Sequence, residues 1–376
     1  MTGAPTYIQI RPVELPLGEP LPWDLVDKRG VLVLRHGSVL TQDQQVERLL
    51  ERRVCRERTE ADLEATLTPA RLSVFEQLSG IRTDLHAGLE SLAKAPSGAA
   101  LAPVLAVASH LRQLAGRHSD ALLGALMLEH AAYTEIHPLL VAVISDMLAR
   151  RAALEEEVRH ALCCAALTGN LGMLDLQDTL SRQQAPLDEA QRRAVRDHPE
   201  QGFEILRSAG VNDPLWLGMV LNHHARSDGS GYPPGRVSAR IEQLTSIIAL
   251  ADNYAAMVLP RAYREGLHAQ QAVREIFVQR RLKVGSELVQ QFVKELGIYP
   301  PGTFVSMKNG DLGLVIRRGE HAANAPVVSC FANAEGVPYA SPLFHDTGEA
   351  GATVIAGIAP QSELPVPLVR LWGLTR

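Results

Sequence analysis

A chain of 376 residues holds two or three folded units at roughly 150 residues each and can bury a real core. Apolar residues make up 46% of it and charged residues 21%, a globular balance that excludes wholesale disorder. With 37 Lys+Arg against 42 Asp+Glu the net charge is −5, so nothing draws the chain as a whole to DNA, RNA or an anionic membrane, and an anionic ligand has to be met by a local cluster of Arg or Lys.

The first twenty residues lack the basic-then-apolar layout of a secretion signal, and the longest uncharged stretch, Ala95 to Leu111, is interrupted by Pro103, Gly98, Ser97, Ser109 and His110, so no membrane span is read. The four cysteines, Cys55, Cys163, Cys164 and Cys330, form neither a CxxC pair nor a regular framework. Buried thiols in a reducing cytoplasm are expected.

Residues 1–66 read as a small α/β module with strand-like runs at Tyr7 to Arg11 and Val31 to Leu34. Thr41 and Gln44 have capping-box spacing, and Val46, Leu49 and Leu50 then line one helix face. No nucleophile or ligand cluster stands out here, which suits an adaptor or regulatory role. Residues 67–129 read as a helical region. Pro69 is placed as the first residue of a long amphipathic helix striped by Leu72, Phe75, Leu78, Ile81, Leu85, Leu89 and Leu92. Pro96, Ser97 and Gly98 end it, and Ala-rich helices run on to about Leu128. The stripe suits packing inside a bundle better than a homodimer seam, though its rhythm allows either. Residues 130–296 continue as helices. From Gly297 onward, Gly, Pro and β-branched residues predict a small β-rich extension (297–376), with a hairpin of Phe304 to Met307 and Leu312 to Ile316 about Lys308 to Asp311 and further strands at Val327 to Phe331 and Val354 to Ile358.

The densest chemistry lies in LNHHARSDGSGYPPG, residues 221–235. Adjacent helical residues point about 100° apart, so His223 and His224 share one metal only near a helix end, where this Gly- and Pro-rich loop begins. Taken alone, the pair reads as a helix-capping and an exposed histidine. His198 in RDHPEQGFEIL, Asp252 in IIALADNYAAM and His137 in EIHPLLVAVI also sit at polar edges of apolar helices. Such a set suits a metal site in a helical bundle.

The run HHARSDGSGYPPG resembles the motif that names the HD-GYP subgroup of the HD phosphohydrolases, bacterial enzymes that hydrolyse cyclic di-GMP with two or three metal ions. Asp252, Arg261, Tyr263 and Arg264 in ALADNYAAMVLPRAYREG resemble that group's metal-binding aspartate and phosphate-contacting "RPYR" segment, His198-Pro199 its "HP" helix, and GIYPPGTFVSMKNGDLGLVI its C-terminal extension. The likeness runs from about His130 to Ile316 and implies a mainly α, HD-domain-like helical bundle. It departs at the naming motif. Where the family has His-Asp followed by Ile-Gly-Lys, this chain has Gly169, Asn170, Leu171, Gly172 and Met173, 32 residues after His137 and 29 before His198. Tyr133, Ala225 and Ser246 also replace residues the resemblance leads one to expect.

A bridging carboxylate holds two ions about 3.5–4 Å apart so that they share the attacking hydroxide, and an amide bridges poorly. The resemblance therefore implies one transition metal ion (Fe, Mn or Zn) on His198, His223 and His224, with Asp252 and His137 as further candidates, and no confident catalytic residue. It implies ligand-binding roles for Arg226, Asp228, Gly231, Tyr232, Pro233, Arg261 and Arg264, with Arg261 and Arg264 three apart on one helix as twin guanidinium forks. The reading is a cytoplasmic cyclic di-GMP signalling protein, impaired in catalysis, that binds the nucleotide or other signalling proteins such as diguanylate cyclases through the GYP loop. Beside it stand a one-metal phosphodiesterase and an interaction scaffold without a small ligand.

Overall fold

The computed structural model describes residues 7–10, 15, 18–27, 30–52, 54–57, 72–129, 131–226, 231–234, 237–279, 285–320 and 322–374. It divides into two compact units, Met1–Arg71 and Leu72–Arg376. In the first, β1 (Tyr7–Gln9), β2 (Leu25–Val26), β3 (Leu32–Leu34) and β4 (Cys55–Glu57) form an antiparallel sheet in the order β1-β4-β2-β3, with α1 (Asp43–Glu51) between β3 and β4. Leu21, Leu25, Leu40, Leu49 and Val54 are among its core residues. The predicted capping pair is corrected by one residue: α1 begins at Asp43, and Gln45 rather than Gln44 accepts from the backbone N–H groups of Thr41 (2.8 Å) and Gln42 (3.1 Å). Strands β2 and β4 escaped the sequence reading because two or three residues carry no alternation.

In the second unit α2 spans Val74–Lys94; the expected start at Pro69 lies outside the described residues. Ser73 and Glu76 decide the start. The Ser73 hydroxyl accepts from the Glu76 N–H (3.3 Å) while the Glu76 carboxylate accepts from the Ser73 N–H (2.8 Å), leaving Leu72 outside the helix and 56% exposed. Leu78, Ile81, Leu85, Leu89 and Leu92 are buried inside the unit, where α2 runs along α3 (Gly98–Leu128). Gly88 permits that approach, since a Cβ there would meet Val104 at 3.0 Å.

Helix α4 (Tyr133–Arg151) is the central element, buried at every position from Ile136 to Ala149. Around it lie α3, α5 (Glu156–Thr168), α9 (Ala239–Val258) and α11 (Ser286–Leu296). A short 3-10 turn (Leu171–Met173), α6 (Leu174–Arg182), α7 (Glu189–Ser208), α8 (Pro214–Asn222) and α10 (Ala269–Gln279) complete the helical part. Cys163 and Cys164 are buried on α5 as small apolar residues, and burial pushes both thiols up, Cys164 to about 12. Asp146 is the buried carboxylate of α4: it accepts from Arg150 and Arg159, each at 2.7 Å, with Arg112 at 3.5 Å, which ties α3, α4 and α5 together.

Beyond α11 the chain forms a five-stranded antiparallel sheet, β8-β7-β6-β5-β9, from β5 (Phe304–Met307), β6 (Leu312–Arg317), β7 (Val327–Ala332), β8 (Pro338–Asp346) and β9 (Ile355–Ile358). The 304–316 hairpin, β7 and β9 match the predicted strands. Edge strand β8 does not announce itself, since none of its residues is buried. Phe304, Leu314, Ile316, Val327 and Phe331 join the main core, whereas Val305, Val315, Val328 and Cys330 face the other way into a small second cluster. A last turn, α12 (Leu368–Leu371), presents Trp372 to Gly124, where a Cβ would lie 2.4 Å from the indole. No helix among the described residues is long and apolar enough to cross a membrane.

Candidate metal centre and cavity

Each histidine is set by a local backbone defect. Pro199 has no N–H, so the Val195 carbonyl loses its helical partner, and His198 Nδ1 lies 2.7 Å from that oxygen. At the end of α8 the last carbonyls are free because the helix stops, and His223 Nδ1 lies 2.8 Å from Val220 O. Helix α8 stops at Asn222, His223 is its cap, and His224 follows in the turn, so two adjacent histidines reach one point as the sequence requires. Their ring centroids are 4.1 Å apart, and the nitrogens of His198, His223 and His224 all lie within 4.8 Å of one another. Gly231 closes the loop back on this turn: a Cβ there would lie 2.2 Å from His224 O, and next to it the Tyr232 N–H donates to that oxygen (3.2 Å). The Tyr232 ring stacks obliquely on His224 at 4.7 Å.

The donor set then fits a cation. Because both Nδ1 atoms face carbonyl oxygens, each carries the proton, and both Nε2 atoms of the neutral rings present lone pairs. Those two atoms face each other at 3.1 Å. A proton does not reconcile them, since burial and then the His223 charge push His198 down to about 3, and burial lowers His223 and His224 too. One ion bound at 2.0–2.1 Å by cis nitrogens spaces them by roughly 3–3.4 Å. Backbone carbonyls that fix the outer ring nitrogen are the usual support of a ligating histidine.

On the other side of the cavity, His137 Nε2 (α4) lies 2.8 Å from Asp252 Oδ1 (α9). Burial opposes charge on Asp252, but the His137 hydrogen bond and the nearby imidazoles prevail and hold its carboxyl well below the usual range. Tyr133 stacks on His137 at 4.8 Å, and burial raises its phenol above the ordinary value. Arg261 donates to the hydroxyls of Tyr133 and Tyr263 and lies over the Tyr133 ring at 4.4 Å. A cavity of about 490 Å³ opens over this pair; Asn170, Met173, Gln177, Gln183, His224 and Tyr232 also line it.

Several predicted site residues are placed otherwise. Arg261 and Arg264 are not on a helix: α9 ends at Val258 ahead of Pro260, and the two arginines bond backbone to backbone across a tight turn (2.9 Å both ways). The turn sends them apart. Arg264 donates to the carbonyls of Ala256 and Met257 at the end of α9 and does not line the cavity. Arg226 is exposed, Gly231 serves the loop's close approach, Pro233 stands off the cavity wall, and Asp228 lies outside the described residues. Gly169 caps α5; a Cβ there would lie 3.9 Å from His223 Nε2. Gly172 presses the 3-10 turn onto α7, where a Cβ would lie 2.2 Å from His198 O, and this puts Asn170 and Met173 on the wall. Gln177 and Gln183 were missed, because polar residues on a short amphipathic helix and its exit look like any solvated face.

Residues 104–288 match the HD domain family. Over 247 residues the chain is 30% identical to a cyclic di-GMP phosphodiesterase of Pseudomonas aeruginosa, which covers 65% of this chain and 59% of that protein. Over 168 residues it is 31% identical to a 3'3'-cGAMP-specific phosphodiesterase of Vibrio cholerae, 45% of this chain and 36% of that one. The chain thus spans less than two thirds of either relative. A solved HDGYP protein from Bdellovibrio bacteriovorus has the same fold, with a TM-score of 0.51 at 15% identity over 76% of this chain and 98% of that chain. Residues 104–288 thus carry an HD domain, and the chain is similar to HD-GYP proteins. The histidine triad converges beside the GYP loop, and Gly169 and Asn170 occupy the positions where the resemblance leads one to expect a His-Asp pair.

Proposed function

We propose that this protein is a cyclic di-GMP signalling protein that binds the nucleotide in the cavity beside His224 and has lost two-metal hydrolysis. The observation that carries the reading is the pairing of His137 with Asp252 next to Asn170: the groups the resemblance assigns to a first metal satisfy each other, and the bridging position holds a neutral amide. One metal on His198, His223 and His224 would supply Lewis-acid polarisation of a phosphoryl oxygen. The chain's own groups do the rest. Arg261, oriented by two tyrosine hydroxyls, faces the cavity with a guanidinium suited to a phosphodiester. Tyr232 offers a ring for a base to stack on, and the amides of Asn170, Gln177 and Gln183 offer donors and acceptors to base edges. Protein partners such as diguanylate cyclases belong to the same reading, with the GYP loop as the contact.

A second reading, a one-metal phosphodiesterase, draws support from the preorganised Nε2 pair of His198 and His223. A single experiment separates them: calorimetric titration with cyclic di-GMP, with and without Mn(II), alongside chromatography of the same mixture for linear dinucleotide and GMP. Binding with the nucleotide recovered intact supports the receptor. Turnover lost on His224→Ala supports the enzyme, and no uptake at high micromolar nucleotide leaves only a scaffold.

A further inference from the structure

Asp311, Cys330 and His345 come together on the sheet, far along the chain from the histidine triad. Each offers one ligand atom, and these atoms lie within 4.8 Å of one another. The strand register explains the meeting. Cys330 pairs with Gly313 of β6 and lies two residues from Val328, which pairs with His345 of β8, so Cys330 and His345 share a face. Gly313 leaves room for the sulfur, because a Cβ there would lie 3.1 Å from Cys330 Sγ. Asp311 enters from the β5–β6 turn. This is the face of Val305, Val315 and Val328, turned away from the main core.

Two further observations point to a cation. The Asp311 carboxylate is buried, and its contacts are neutral: the Tyr339 hydroxyl at 2.7 Å and the Asn309 amide at 2.9 Å. Among the described residues no Lys, Arg or His forms an ion pair with it, an expensive state for a buried charge. His345 Nε2 is likewise buried and has no hydrogen-bond partner.

We infer that Asp311, Cys330 and His345 form a second metal site, a structural Zn(II) site that ties the β5–β6 turn, β7 and β8 together. Mixed O, S and N donors suit Zn(II) better than Mg(II) or Ca(II), which take oxygen, and a fourth position is left to solvent. Bond lengths of about 2.0–2.3 Å place tetrahedral ligands roughly 3.3–3.8 Å apart, so the donors need close by no more than about 1.5 Å. Binding replaces the S–H bond with an S–Zn bond and releases the proton to solvent. The ion reaches the site from the β8 edge, where His345 is only half-buried.

Cobalt substitution tests this without reference to nucleotide chemistry. Chelator-stripped full chain is titrated with Co(II), and near-ultraviolet thiolate-to-cobalt charge transfer is read. The histidine triad contains no sulfur, so wild type and His198→Ala should both show the band, whereas Cys330→Ser should not. His345→Gln should weaken Co(II) binding at this site at least tenfold. Zn(II) should raise the melting temperature of His198→Ala and fail to raise that of the double variant His198→Ala/Cys330→Ser, with circular dichroism confirming that each variant is folded. A wild type without the band, or a band that survives in Cys330→Ser, overturns the site.

Discussion

His137 Nε2 on α4 and Asp252 Oδ1 on α9 are 2.8 Å apart, 115 residues distant in sequence. The two groups satisfy each other across α4 and α9, and among the described residues of the helical unit the three converging histidines form the cluster of three ligand atoms. In the Cys330→Ser background, which removes the sheet site, metal analysis should therefore give no more than one transition metal ion per chain, lost on His198→Ala or His223→Ala. Two ions per chain in that background would sink the one-metal reading.

Arg261 and Arg264 should separate cleanly. Arg261 lines the cavity, and a charge-assisted bond to phosphate contributes roughly 1.5–3 kcal/mol, so Arg261→Ala should weaken cyclic di-GMP binding about ten- to a hundredfold, and added salt should weaken it further. Arg264 binds the carbonyls that end α9, so Arg264→Ala should leave affinity within about threefold and lower stability by about 1–2 kcal/mol, visible as a drop in melting temperature. Equal loss of affinity in both variants would contradict the geometry. Calorimetry and thermal melts on the two proteins decide it.

Asp146 concerns stability alone. Removing this 2% exposed carboxylate takes from Arg150 its carboxylate partner and leaves Arg112 and Arg159 with the exposed Glu156 alone. Breaking such a group by deleting one member typically costs about 3–5 kcal/mol. Asp146→Ala should show that loss in urea unfolding with an unchanged m-value, while Glu189→Ala, one of an exposed pair with Arg193 on α7, should cost under about 0.5 kcal/mol.

The triad was legible because its determinants are local. The apolar run of α8 meets a Gly- and Pro-rich loop at His223, and a proline after His198 frees the carbonyl that orients its ring. The direction of Arg264 was not legible, since a three-residue spacing looks helical until Pro260 and the end of α9 turn it into a tight loop. Nor was the sheet cluster: Asp311, Cys330 and His345 meet only through the register of three strands, and one of those, β8, lacks the buried alternation that marks a strand. The long stripe of α2 was plain, and a capping box of Ser73 and Glu76 sets where it begins.

Installing the His-Asp pair that the resemblance leads one to expect at Gly169 and Asn170 should reveal what else blocks a second metal. Gly169 has space for a side chain: a Cβ would meet Ala165 O at 3.4 Å and His223 Nε2 at 3.9 Å, both ordinary contacts, so Gly169→His directs an imidazole toward the triad. Asn170 already lines the cavity, and Asn170→Asp adds the charge that a bridge between two ions needs. Yet His137 and Asp252 stay committed to each other, with Tyr133 stacked on the imidazole and bonded to Arg261. The double variant should therefore gain metal, with content in the Cys330→Ser background rising above one ion per chain, while hydrolysis of cyclic di-GMP stays near background. Adding Tyr133→Glu removes the stacking ring and supplies a carboxylate beside His137, and the triple variant should turn over at least tenfold faster than the double. If the double variant alone hydrolyses the nucleotide robustly, Tyr133 is not a barrier. If even the triple variant binds no second ion, the loss lies deeper than the Gly169-Asn170 pair, and the one-ion triad is the settled state of this site.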